Sequence, residues 1–222
     1  AEAEVELGLS QESLATWAPW ALGDMHRIRG DLQLARGELD AADESYKRSR
    51  AHGWDPQPGH AMLQVALGQA DAGVRALELT LEERSWIPRE SRGSLLAHLA
   101  IAAAAAGRLE TAAAALAELD AHPEHRSTPA LTAYYHAARA ALLAAQARHG
   151  ESVSALRAAA QQWREVGSPL YAARARLELG KALLATGARE HAAMELAAAE
   201  TAFAENRAER LAGLCAELAS SI

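Results

Sequence analysis

The feature that most constrains this chain is a short pattern that returns five times. An apolar run ends at a glycine with a polar neighbour, and a small residue about five positions on opens a second run. The glycines stand at Gly37, Gly68, Gly107, Gly150 and Gly187, in steps of 31, 39, 43 and 37 residues. A glycine just past a helix end can take the left-handed conformation that satisfies the last carbonyls. Apolar residues then recur at helical spacing, as in Leu109, Ala112, Leu116 and Leu119 or Ala192, Leu196 and Ala199. Each repeat therefore reads as a helix hairpin with one buried stripe. A single hairpin cannot bury that stripe, so neighbours must stack. Further breaks fall where repeats should meet: Asp55 to Gly59, Ile87-Pro88, His122 to Pro129, and Gly167-Ser168-Pro169.

Composition agrees. Alanine, the best helix former, supplies 57 of the 222 residues, whereas aromatic residues make up 5%. A sheet protein would need many more β-branched and aromatic side chains. Half the chain is hydrophobic against 23% charged, too apolar for a disordered segment. The predicted fold is all-α, a right-handed superhelical solenoid of about five helix hairpins forming one domain over 1–222. The units run roughly 15–53, 56–84, 90–122, 129–166 and 169–204, with a capping helix at 206–219.

The pattern resembles tetratricopeptide repeats, which run about 34 residues per helix–turn–helix unit. The last unit matches best, with Leu179-Gly180, Leu183, Ala192, Leu196 and Ala199, and the third matches through Leu99, Ala100, Ala103, Ala112, Leu116 and Pro123. A narrower resemblance lies in Gly30-Asp31-Leu32, Gly37-Glu38-Leu39-Asp40-Ala41-Ala42, Gly53 through Gly59, Trp163 through Pro169, Tyr171 through Arg176, and Leu196 through Phe203. These stretches are similar to the repeat region of actinobacterial LuxR-type transcriptional regulators. That resemblance implies a sensing or scaffolding module beside a helix-turn-helix, and in some members beside an ATPase domain. The alternative is a free-standing adaptor that joins proteins and has no role in transcription.

Charge and motifs narrow the function. The net charge is −7, and no basic face is legible, so direct nucleic-acid contact by this segment is not expected. One cysteine, Cys215, excludes an intrachain disulfide and fits a reducing compartment. The start, Ala1-Glu2-Ala3-Glu4, has no leader pattern, and the longest apolar stretch, Leu95 to Ala106, is too short to span a bilayer. The expectation is a cytoplasmic chain without membrane contact. No phosphate-cradling glycine loop, zinc-protease motif or nucleophile elbow occurs. The reading is accordingly non-enzymatic, with no cofactor and no metal. His122 and His125 around Pro123-Glu124 read as solvated loop side chains, and Cys215 as a packed thiol.

The concave face, lined by the first helix of each hairpin, is the expected site for a protein or peptide partner or a small effector. Counting along those helices places Asp24, Arg27, Asp31, Met62, Ser94, Ile101, Tyr135, Arg139, Arg174 and Lys181 in the groove. Trp17 and Trp20, three apart, are read as sharing a helix face. With Leu211, Leu214 and Leu218 they are the expected contacts of a homodimer built on the array's ends.

Overall fold

The computed structural model describes residues 2–83 and 89–222, the side chains of 2–4, Leu7, Ser10, Glu12, Glu83, Arg89 and Glu90 excepted. The break expected at Ile87-Pro88 lies outside the described residues. Every regular element among them is helical. After α1 (Glu2–Trp17) the helices follow in adjacent antiparallel pairs: α2 (Leu22–Arg36) with α3 (Leu39–Ala51), and α4 (Gly59–Ala66) with α5 (Ala70–Glu83). Then come α6 (Arg89–Ala105) with α7 (Leu109–Ala121), α8 (Pro129–Ala145) with α9 (His149–Glu165), and α10 (Pro169–Ala185) with α11 (Arg189–Glu205). A last helix, α12 (Glu209–Ser220), packs on α11. Short 3-10 turns occupy Pro19–Ala21 and Pro123–Arg126.

The turns inside the pairs share one hydrogen-bond scheme, in which the residue after the turn donates back five positions. Glu38 N bonds Gln33 O at 2.9 Å, Gln69 N bonds Gln64 O at 2.8 Å, Arg108 N bonds Ala103 O at 2.8 Å, and Ala188 N bonds Leu183 O at 3.0 Å. This closes the orphan carbonyls of the preceding helix and needs one left-handed residue. Gly37, Gly68, Gly107 and Gly187 fill that position with φ between 73° and 81°. The fourth turn departs from the expectation. Arg148 N bonds Leu143 O at 2.8 Å, so the left-handed residue is Ala147, at φ 59°, while Gly150 lies inside the first turn of α9. The turn geometry repeats even where the glycine has slipped by three residues, because the packing of α8 on α9 holds the register.

Prolines set other boundaries. Pro129 and Pro169 open α8 and α10, where a missing N–H costs nothing, and the Thr128 hydroxyl accepts from Leu131 N at 3.2 Å. Pro19 corrects one expectation: the chain leaves the helical region at Ala18 (φ −147°), because the residue before a proline is pushed out of it. Trp17 therefore ends α1 and Trp20 belongs to the 3-10 turn, so the two do not share a helix face.

Among the described residues no single central core gathers the apolar side chains. Buried apolar residues form separate clusters strung along the helix pairs. Alanines with no exposed surface sit at the crossings, among them Ala42, Ala61, Ala112, Ala133, Ala159, Ala192 and Ala199. Their small side chains let helix axes approach closely, and Leu or Phe from the neighbour fills the remaining space. One cluster breaks the rule of sequence neighbours. Ala35 of α2 shares it with Leu170, Ala173 and Leu177 of α10, Phe203 of α11 and Cys215 of α12. The chain thus returns upon its own beginning, and α10 and α12 both touch α2.

Candidate functional site

The return of α10 to α2 creates an inner face on which α6, α8, α10 and α2 meet in turn. On α2, the Arg27 guanidinium is held between two carboxylates. Its Nε lies 2.8 Å from Asp24 Oδ1 and its Nη1 2.8 Å from Asp31 Oδ2. The second Asp31 oxygen accepts from the Tyr46 hydroxyl of α3 at 2.8 Å. Burial pushes the Asp31 carboxyl above its ordinary range, opposed by the bonds from Tyr46 and Arg27. The Tyr46 phenol is also pushed up, by burial first and then by the Asp31 charge. Helix α4 crosses directly over this network at Gly59, where a Cβ would meet both Asp31 and Tyr46.

Aromatic side chains fill the next part. Tyr134 of α8 packs edge-on against Trp163 of α9 (4.8 Å between centroids) and lies edge-on to Tyr171 of α10 at 6.0 Å. Trp163 stacks on Tyr171 at 4.7 Å. His98 of α6 lies 4.5 Å from the Tyr134 ring, and its Nδ1 donates to the Ser94 carbonyl at 2.7 Å, which fixes the tautomer. Burial holds this imidazole down to about 4, with the Arg174 charge acting in the same direction. Arg174 completes the face. From α10 its Nη1 donates to Leu34 O at 2.9 Å and to Ala35 O at 3.3 Å, the last-turn carbonyls of α2.

The residues expected in the groove fall into three groups. Asp24, Arg27, Asp31 and Arg174 come together here from α2 and α10, and Ser94 joins them through His98. Met62 and Ile101 pack against hydrophobic clusters, and Lys181 pairs with Glu178 one turn away at 2.7 Å. Tyr135 and Arg139 lie in a groove of about 400 Å³ between α7 and α8, floored by Leu116, Leu142 and Leu143. There the Tyr135 hydroxyl donates to Asp120 at 2.7 Å and its ring lies 4.3 Å beneath Arg126. Arg139 is exposed and makes no ion pair or hydrogen bond among the described residues. A second groove of about 290 Å³, between α5, α6 and α7, is crossed at its rim by the pairs Arg92–Glu118 and Arg108–Glu78, each at 2.7 Å.

Sequence reasoning missed Tyr134 by one position. Adjacent residues on a helix point about 100° apart, so choosing Tyr135 turned the expected face outward. Tyr46, Tyr171 and His98 were not singled out for the face. The signal available was four large aromatic or imidazole side chains in an alanine-rich chain. Trp163 is buried between helices, whereas Trp54 is 36% exposed, its ring lying over Gly23 and its Nε1 donating to Trp20 O at 2.8 Å.

Of the residues expected at a dimer contact, Trp17 and Trp20 are 83% and 71% exposed. Leu211, Leu214 and Leu218 are instead half-buried within this chain, packed on the cluster that joins α12 to α2, and Leu211 lies against Gly37. The C-terminal helix therefore finds its apolar partner in its own molecule.

Cys215 is buried, and burial pushes its thiol up to about 11. His122 Nδ1 lies 3.3 Å from Glu124 Oε1, whereas His125 is buried. Among the described residues no group of three or more His, Cys, Asp or Glu side chains is placed to hold a metal ion. Nor is any helix long and apolar enough to cross a membrane. Compared with protein-family models, curated proteins and solved structures, the chain matches none.

Proposed function

We propose that this chain is a right-handed superhelical solenoid of tetratricopeptide-like hairpins, working as a non-catalytic binding module of a cytoplasmic transcription regulator. Its inner face receives a segment of a partner protein or a small effector, and the change is passed to a DNA-binding segment. The observation that carries this reading is the convergence of α2, α6, α8 and α10 on one patch. There, charged groups (Asp24, Arg27, Asp31, Arg174) lie beside the part-exposed rings of Tyr134 and Tyr171, which the buried Trp163 backs. Such a mixture recognises an extended or helical segment, with rings supplying area and charges fixing register. Most polar side chains on the face are already paired, which suits recognition better than proton transfer. The link to transcription rests on the resemblance of the repeats to those of LuxR-type regulators.

A pull-down with the intact chain, repeated with Asp24→Ala and Arg139→Ala, tests this. Loss of the captured protein with Asp24→Ala alone supports the inner face. Loss with Arg139→Ala alone transfers the role to the α7–α8 groove, the second reading, favoured by its unpaired guanidinium over an apolar floor. Capture that survives both variants ends both. A gene in which a helix-turn-helix adjoins this segment supports regulation of transcription, and a gene without one supports a free-standing adaptor.

A further inference from the structure

Arg174 differs from the other guanidinium of the inner face. Arg27 is neutralised by two carboxylates, whereas Arg174 bonds two neutral carbonyls through Nη1 alone. Its Nε and Nη2 donors have no partner among the described residues. Those carbonyls close the C-terminal end of α2, the negative end of its dipole. The bonded residues stand 139 and 140 apart in the chain, and this contact and that of α12 with α2 join elements far apart in sequence, unlike the interfaces within and between successive helix pairs. The contacts of α10 and α12 with α2 are small beside those within the helix pairs. Ala35 sits in the cluster with Ala173 and Cys215, Leu211 packs on Gly37, and Arg210 Nη1 reaches Gly37 O at 3.4 Å. A stack of helix pairs deforms by small changes at each interface, so a thin seam between its two ends is the contact that gives way first.

We propose that the α2–α10/α12 seam is a latch closed by Arg174, and that a carboxylate carried on an apolar group opens it. The inference deepens the reading of the inner face as a binding surface by naming the ligand group and its control. A charged acceptor binds guanidinium about twice as strongly as a neutral carbonyl and can engage two N–H groups at once. A carboxylate delivered beside the part-exposed rings of Tyr134 and Tyr171 therefore takes Arg174 from Leu34 and Ala35, and its apolar carrier packs on those two rings. With Arg174 withdrawn, the seam retains mainly apolar contacts of small area, and α2 parts from α10 and α12. The net charge of −7 selects a single carboxylate on an apolar carrier, an acidic residue next to an aromatic or aliphatic one, over a polyanion.

The test has two arms on the intact chain. Without ligand, Arg174→Leu should raise the radius of gyration in small-angle scattering and speed modification of Cys215 by a thiol reagent several-fold, at unchanged helical circular dichroism. If that variant does not fold, the pair Arg210→Ala and Leu211→Ala weakens the same seam from α12. A folded variant with unchanged size and unchanged thiol reactivity overturns the latch. This arm needs no partner, so its failure leaves the binding reading standing. In the second arm, benzoate should expand the wild-type chain while benzamide, of the same shape without the charge, and sodium chloride at matched ionic strength should not. Arg174→Leu should not respond to benzoate beyond its own expansion. A wild type that ignores benzoate, or a variant that responds as the wild type does, overturns the carboxylate step.

Discussion

The layers between helix pairs and the inner face are built on opposite principles. At the crossings, alanines with no exposed surface meet Leu or Phe, and the same solution recurs from Ala42 to Ala199. On the inner face, Asp31, Tyr46, His98, Tyr134 and Arg174 come from five different helices, and each depends on a particular partner. The first hairpin also carries buried polar atoms, His26 Nδ1 and Ser49 Oγ, without a hydrogen-bond partner. Repetition makes the layers tolerant of small differences between units. The inner face holds the groups whose loss or titration is felt singly.

Substitutions should separate the two regimes. The largest effect expected is that of pH through His98. Its pKa falls from 6.5 to about 4 on folding, so the unfolded chain binds the proton first. Stability is then complete above pH 6.5 and declines as pH falls toward 4, by roughly 3 kcal/mol from this one group. Urea unfolding at pH 7 and pH 5 should show the loss, and His98→Gln should make it shallower, leaving the smaller share of His26, His60 and His136, which burial also lowers. A profile equally steep in that variant places the titration elsewhere. Next comes overpacking of the layers. Ala112→Leu and Ala192→Leu should each cost about 1–3 kcal/mol, read as a lowered melting temperature. Unchanged melting in both would mean that these alanines do not stand at helix crossings.

The inner face answers to smaller chemical changes. Tyr46→Phe keeps the ring but strips one Asp31 oxygen of its donor, and should cost about 1–2 kcal/mol. If denaturant midpoints show no loss, the network is ornamental to stability. The smallest effect concerns a turn. Ala147 holds a left-handed conformation that costs L-residues about 1 kcal/mol, so Ala147→Gly should raise stability by up to that amount. A drop on that substitution would show that the methyl contributes more than its backbone costs.

The limits of sequence reasoning follow the same division. Helix ends were legible wherever a local signal marks them, as at Gly37, Gly107, Gly187 and Pro169. The fourth turn misled because a glycine stood three residues past the left-handed position, which Ala147 fills at a cost the packing covers. Helix α1 carried no such signal. On the inner face, Asp24, Arg27 and Asp31 were found because one helix places them at spacings of three and four. Tyr134 was lost to its neighbour Tyr135 by a rotation that no local rule resolves.

What the sequence determined alone is the unit: an alanine-rich hairpin, closed by a left-handed residue and repeated until each stripe is covered. Local sterics and helical periodicity act within a few residues, so they can be read without coordinates. What only the tertiary structure decided is that α10 and α12 come back to α2. That contact gave Leu211, Leu214 and Leu218 a partner in their own chain and set Arg174 on the carbonyls of Leu34 and Ala35. It depends on small rotations summed over every intervening interface, and no short stretch of residues carries that sum.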